Sequence, residues 1–259
     1  MDVYRKELND IYEAQRLGEE RLDDADVSAT NTMAEAMARL NGGCVVITDA
    51  ASDSCFIFAG SLGRLLGLSY SDWLSVSADS SDEDVIYNLL HPEDFVYKRM
   101  LEYEFFKMAD NLSPEHKRDI RATCRIRMRA SDGRYILIDN STQVSRLSPG
   151  GKIWLILCTY QLSPVQEYDS GIGIVPHIVN QRTGEIVSLS FEERRDRILT
   201  SREKEVLRLI RQGLPSKQIA DSLGISVNTV NRHRQNIIGK LSVGNSIEAV
   251  TAAIQMKLL

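Results

Sequence analysis

Residues 199–259 read LTSREKEVLRLIRQGLPSKQIADSLGISVNTVNRHRQNIIGKLSVGNSIEAVTAAIQMKLL. Four short amphipathic patterns lie in this run, separated by tight turns. Thr200 with Glu203 three residues on is a capping box, in which hydroxyl and carboxylate each satisfy an orphan amide. Val206, Leu207, Leu209 and Ile210 supply an apolar face, and Gly213 a stop. Pro215 suits the first position of a second helix, whose Ile219, Ala220 and Leu223 face inward before Gly224 ends it. Ser226 caps a third helix. Asn245 with Glu248 repeats the capping pattern ahead of a fourth, whose apolar residues are Ile247, Val250, Ile254 and Leu258. Connections this short predict a compact all-α, four-helix domain.

The third helix can be read by angle. At about 100° per residue, an inward Val230 brings Ile237 and Leu241 inward too, with His233 beside them as a structural residue. The opposite face holds Asn228, Asn231, Arg232, Gln235, Asn236 and Gly239. Arg232, Arg234 and Lys240 lie on this helix, and no acidic residue occurs from Ser226 to Leu241. A solvated face would mix in glutamate and aspartate. Arginine, asparagine and glutamine instead are the side chains that make bidentate contacts to guanine and adenine edges. A positive helix on a small scaffold is what insertion into a DNA major groove requires.

With these residues in place, the run resembles the LuxR-type helix-turn-helix domain. It matches at Leu199, Thr200, Arg202-Glu203, Glu205-Val206-Leu207, Gly213, Lys217, Ile219-Ala220, Leu223 and Ile225-Ser226. The match continues through Thr229-Val230, His233, Ile237, Lys240-Leu241, Val243 and Glu248-Ala249-Val250. The resemblance implies that residues 226–241 are the recognition helix, and that Asn231, Arg232 and Gln235 reach bases. Asn228 joins that set from its place on the polar face. The resemblance also sets Ser216, Lys217, Thr229 and Lys240 near phosphates, and Asn236 is grouped with them. It further implies a dimer contact from the fourth helix, for which Ala249, Ala253 and Met256 are the candidates once Val250, Ile254 and Leu258 complete the core. The sequence departs from the family pattern at three places. Pro215 replaces a usual serine cap, Arg234 a usual aliphatic residue, and Ser246 a common arginine. Gly239 is unusual inside a helix and costs about 1 kcal/mol against alanine.

Charge separates this run from the rest. Residues 200–259 hold nine Lys/Arg and four Asp/Glu, a net of +5. The whole chain of 259 residues is −5, which leaves −10 for residues 1–199. An acidic part joined to a basic one suits a regulator that senses with the first and binds DNA with the second. Cys44, Cys55, Cys124 and Cys158 form no CxxC and stand in apolar strand-like contexts, so buried reduced thiols are expected. No stretch approaches the roughly 18 apolar residues of a membrane span, and the first ten residues lack a signal-peptide core. A cytoplasmic protein without membrane contact is expected.

Upstream, residues 2–22 form a helical pattern with Tyr4, Leu8, Ile11 and Tyr12 on one side. Residues 23–30 look like a break, and residues 33–40 a short helix. CVVITD (44–49) and CFIFAG (55–60) flank a polar turn and read as a hairpin. Short helical segments follow through Leu65-Leu66 and Trp73, and LHPEDF (90–95) opens a helix to about residue 109. Strands are expected at 120–130, 134–145 and 152–161. This α+β order predicts an antiparallel sheet. It resembles the PAS sensory fold over residues 30–162, by the opening hairpin, Leu66-Gly67-Leu68 with Trp73, the His91-Pro92-Glu93-Asp94 turn, and Ser131-Asp132-Gly133. His91 before a proline reads as a turn or cap residue rather than a haem ligand, and Cys124 lacks the context of a photoreactive flavin thiol. No cofactor and no metal site are expected.

Between the domains, residues 172–180 and 185–190 flank a turn at 181–184 and read as a hairpin. Docking on either neighbour would suit it. Gly171 and Gly173 are a lone pair without phosphate-loop context, and FEERRDR (191–197) starts a linker helix. The expected layout is therefore an N-terminal helix (1–29), a PAS-like domain (30–162), a linker with a hairpin (163–198) and the helix-turn-helix domain (199–259). Its expected function is transcription regulation as a homodimer on double-stranded DNA, with RNA polymerase as a further partner and a small-molecule ligand in the PAS-like domain. Two alternatives stand beside it: a sigma-factor-like promoter-recognition protein, and a PAS-regulated enzyme. The first lacks an all-helical polymerase-binding region. The second lacks any catalytic constellation, since His91, His116, His177 and His233 are widely spaced. A PAS module serving protein contacts alone is also compatible.

Overall fold

The computed structural model describes residues 3–68, 84–167, 176–189, 198–241, 243–256 and 258–259. Helix α1 (Val3–Ala14) is shorter than its sequence pattern, because Arg16 turns into the left-handed region at φ 49° and a 3₁₀ turn follows at Leu17–Glu19. The expected break at 23–30 is instead the start of α2 (Asp24–Asn41). Asp23 caps it by accepting from Ala25 N at 2.9 Å, and Asp24 and Asp26 favour its positive end. Ser28, Thr30 and Asn31 read as loop residues by composition, yet here they lie within the helix.

The expected hairpin is β1 (Cys44–Asp49) and β2 (Ser54–Ala59). Helices α3 (Ser61–Leu65), α4 (Asp84–Tyr87) and α5 (Pro92–Asp110) follow, and then β3 (Ile120–Arg129), β4 (Tyr135–Leu147) and β5 (Ile153–Leu162). Trp73 lies outside the described residues. Strands β6 (His177–Asn180) and β7 (Ile186–Ser188) are the linker hairpin, and β6 pairs with β3. The hairpin therefore extends the sheet of the α+β domain. All pairings are antiparallel, in the order β2-β1-β5-β4-β3-β6-β7. This is the α+β architecture that the PAS resemblance implied.

Both faces of the sheet are covered where β1 and β5 lie, which is why their sequences are almost continuously apolar. Cys44, Val46, Cys158 and Tyr160 face the core under α5, whereas Val45, Ile47, Trp154 and Leu157 pack beneath α2. β3 alternates, with Ala122, Cys124, Ile126 and Met128 inward. Buried polar groups are matched across elements: Trp154 Nε1 donates to Asp49 Oδ1 at 3.0 Å, and Gln15 joins Ile153 N to Asp110. All four cysteines are buried free thiols, and burial pushes Cys44 and Cys124 up to about 12. No single helix among the described residues is long and apolar enough to cross a membrane.

Four helices complete the chain: α6 (Ser201–Arg211), α7 (Ser216–Leu223), α8 (Val227–Leu241) and α9 (Ser246–Gln255). The capping box forms as expected, with Glu203 N donating to Thr200 Oγ1 at 3.2 Å and Thr200 N to Glu203 Oε2 at 2.8 Å. Gly213 and Gly224 both take positive φ, 82° and 63°, at the two helix ends where the sequence placed stops. Pro215 is the residue before α7 rather than its first, and no side chain caps that helix. α5 packs against α1 and β3, and also against α8 and α9.

Candidate nucleic-acid interface

Helix α8 is fixed from one side. Val230, Ile237 and Leu241 are buried, and His233 is half-buried beside them, as the angular reading expects. Ser226 caps the helix by accepting from Thr229 N at 3.1 Å, and its hydroxyl also bonds Thr229 Oγ1 at 2.8 Å. Asn228, Asn231, Arg232 and Gln235 are all exposed on the face away from this core. Lys217 is exposed on α7, whereas Thr229, Asn236 and Ser216 are half-buried. The structure thus presents the four base-contact candidates together on one acid-free helix face.

Two groups of candidates are placed otherwise. Lys240 points into the domain: it is 12% exposed, with Nζ 2.6 Å from Oε2 of Glu203 on α6. The same carboxylate oxygen accepts from Thr200 N and Thr200 Oγ1. Lys240 therefore closes the α6 capping box from α8 and is not a free phosphate donor. The second correction concerns α9. Ala249, Ala253 and Met256 are buried, with Ala252, while Ile247 is 78% and Ile254 46% exposed. Small alanines let α9 approach α6 and α8 closely, and the larger residues are left outside. The residues offered for a dimer are thus core residues, and Ile254, one of those assigned to the core, is open. Val250 is half-buried and Leu258 buried, as expected.

Sequence reasoning missed the polar ties that hold α8. Arg234 Nε donates to Ser246 Oγ and Nη1 to Ser216 Oγ, each at 3.1 Å. On α6, Arg202 donates to Leu223 O at 2.7 Å, satisfying the end of α7. The available signal was a charged residue at an inward angle, which Arg234 is.

The family model for bacterial regulatory proteins of the luxR family matches residues 197–253. The C-terminal domain belongs to this family. Escherichia coli (strain K12) uncharacterized response regulatory protein YgeK is 46% identical over 61 residues, which are 24% of this chain and 42% of that one. The solved transcription factor GerE is 34% identical, covering 24% of this chain and 92% of that one at a TM-score of 0.24. The Vibrio cholera VqmA–ligand–DNA complex covers 92% of this chain and 90% of its own, at 17% identity and a TM-score of 0.33. The chain spans about half the length, or less, of the curated relatives it matches. Within the luxR-family domain, the exposed polar face of α8 is the surface that the family resemblance assigned to bases.

The α+β domain has its own clusters. His91 caps α5, its Nδ1 accepting from Glu93 N at 3.3 Å. His91, Glu93 and Asp94 lie close enough to share a cation, but Arg127 already ion-pairs with both carboxylates. Burial, and then Arg127, hold the His91 imidazole below its ordinary value. Burial raises Asp94 in spite of Arg127. Deeper on α5, Lys98 pairs with Glu102, and Tyr87 OH donates to Glu102 at 2.6 Å. Burial acts to raise Glu102, but Lys98 and Arg99 outweigh it and the carboxyl is held low. An open cleft of about 650 Å³ lies on the outer sheet face, between Met37 and Asn41 of α2 and Arg121, Arg125 and His177.

Proposed function

We propose that the chain is a transcription regulator that binds duplex DNA through α8, and that the upstream α+β domain senses a signal or holds two copies together. One observation carries the reading: Asn228, Asn231, Arg232 and Gln235 stand exposed on one helix face without an acidic neighbour on that helix. Their donors and acceptors match major-groove base edges. Lys217, Thr229, Asn236 and Ser216 are proposed as phosphate contacts around it. The match of residues 197–253 to the luxR-family model supports this reading.

A single recognition helix reads few base pairs, so a homodimer on two half-sites about one turn apart is part of the proposal. Exposed Ile247 and Ile254 of α9 are its proposed contact. A regulator of this kind acts in the cytoplasm beside DNA and RNA polymerase, and no catalytic role is assigned. The test is fluorescence binding of the full chain to its enriched duplex. Arg232→Ala should cost about 1–3 kcal/mol there and relax preference at one base position. Equal weakening on enriched and scrambled duplexes would mean that Arg232 does not read a base.

A further inference from the structure

Arg234 and Ser246 are two of the positions where this chain departs from the luxR-family pattern, and they meet in space. Arg234 extends from α8, and its guanidinium donates to Ser246 Oγ at the start of α9 and to Ser216 Oγ at the start of α7. Two hydroxyls on two different helices therefore fix one planar cation. Neither hydroxyl carries charge, and among the described residues no carboxylate pairs with Arg234. The contrast with Lys240 on the same helix is direct, since Lys240 is neutralised by Glu203. Arg202, the other arginine tied to a second helix, is neutralised by Glu205. A half-buried guanidinium held without a counter-charge retains its attraction for an anion, and its remaining N–H groups are oriented in advance.

We propose that Arg234 binds a DNA phosphodiester, with Ser216 and Ser246 serving to orient it. The inference rests on the DNA-binding reading above and extends it to a residue on the inward side of the recognition helix. Serine at 246 fits the role. An arginine there would bring a second guanidinium against the first, whereas a hydroxyl accepts from Arg234 Nε and leaves the charge for the ligand. The phosphate contact also explains why an arginine is kept where an aliphatic side chain would pack: its stem covers the core edge and its head stays polar.

The test uses the full chain, wild type and with Arg234→Gln, Arg234→Lys or Arg234→Leu. Binding is measured to a labelled mixed-sequence duplex and to the duplex enriched from random DNA by the wild type, between about 50 and 200 mM salt. Circular dichroism melts accompany each variant, and Arg234→Leu restores the residue type usual for the family fold. Arg234→Gln and Arg234→Leu should weaken both duplexes alike and flatten the logarithmic salt slope by about 0.9 for one lost phosphate contact. Arg234→Lys should keep the slope. The proposal is overturned if Arg234→Gln and Arg234→Leu keep the wild-type slope, or if Arg234→Lys loses as much slope as Arg234→Gln. Weakening on the enriched duplex alone would make Arg234 a positioning residue and overturn it too. Absence of salt-dependent binding by the wild type to either duplex would overturn the DNA-binding reading itself.

Discussion

Arg232 and Lys240 lie about two turns apart on α8 and have opposite surroundings. Arg232 is exposed, whereas Lys240 is drawn onto buried Glu203. Lys240→Ala should therefore lower the stability of the helical domain by about 1.5–3 kcal/mol in urea denaturation, the usual worth of a hydrogen bond to a charged group. Its salt slope on DNA should not change. Lys217→Ala should do the reverse, with unaltered stability and a slope flatter by about one. A flatter slope for Lys240→Ala would mean that the ion pair opens on DNA. The pairing of Lys240 with Glu203 could not be read in advance, because the two are 37 residues apart. Arg232 was legible because its angle on a single helix decides its exposure. His91 yields a pH prediction of definite sign. Its folded value lies below the ordinary 6.5, so its contribution is complete above 6.5 and is lost as pH falls through the folded value. The melting temperature of the wild type should fall on acidification below 6.5, and His91→Gln should fall less over the same range. Identical profiles would remove His91 as the cause.

At the scale of elements, α9 shows where pattern reading fails. Ile247, Val250 and Ile254 recur at helical spacing, but so do Ala249, Ala252, Ala253 and Met256, and both faces are apolar. Periodicity cannot choose between two such faces; close approach of alanines to α6 and α8 does. The corrected face makes a prediction. Ile254→Glu should leave the melting temperature nearly unchanged and reduce the protein bound per duplex in sedimentation, whereas Ala253→Glu should unfold the domain by burying a charge. If Ile254→Glu still binds as two copies, the dimer forms elsewhere. α6, α7 and α8 were legible because the Thr200–Glu203 box, Gly213, Gly224 and the Ser226 cap are local signals that need no tertiary information. The linker hairpin was legible as strands, but its partner was not. Its edge pairing with β3 depends on backbone groups that carry no sequence mark.

Across the whole molecule, α5 connects the two domains. It carries the buried Lys98–Glu102 pair and Arg99 inside the α+β domain, and it packs on α8 and α9. The acidic α+β domain and the basic luxR-family domain thus meet at α5, whose buried charges lie within the α+β domain. The central claim concerns the exposed face of α8 alone, and selection from a random duplex pool tests it most directly. The full chain, wild type and Arg232→Ala, is used to enrich bound DNA, which is then sequenced. The wild type should return two related half-sites centred about one helical turn apart. Arg232→Ala should return the same spacing with one position in each half-site degenerate. Enrichment of no sequence by the wild type, or an unchanged motif from Arg232→Ala, would contradict the assignment of that face to base reading.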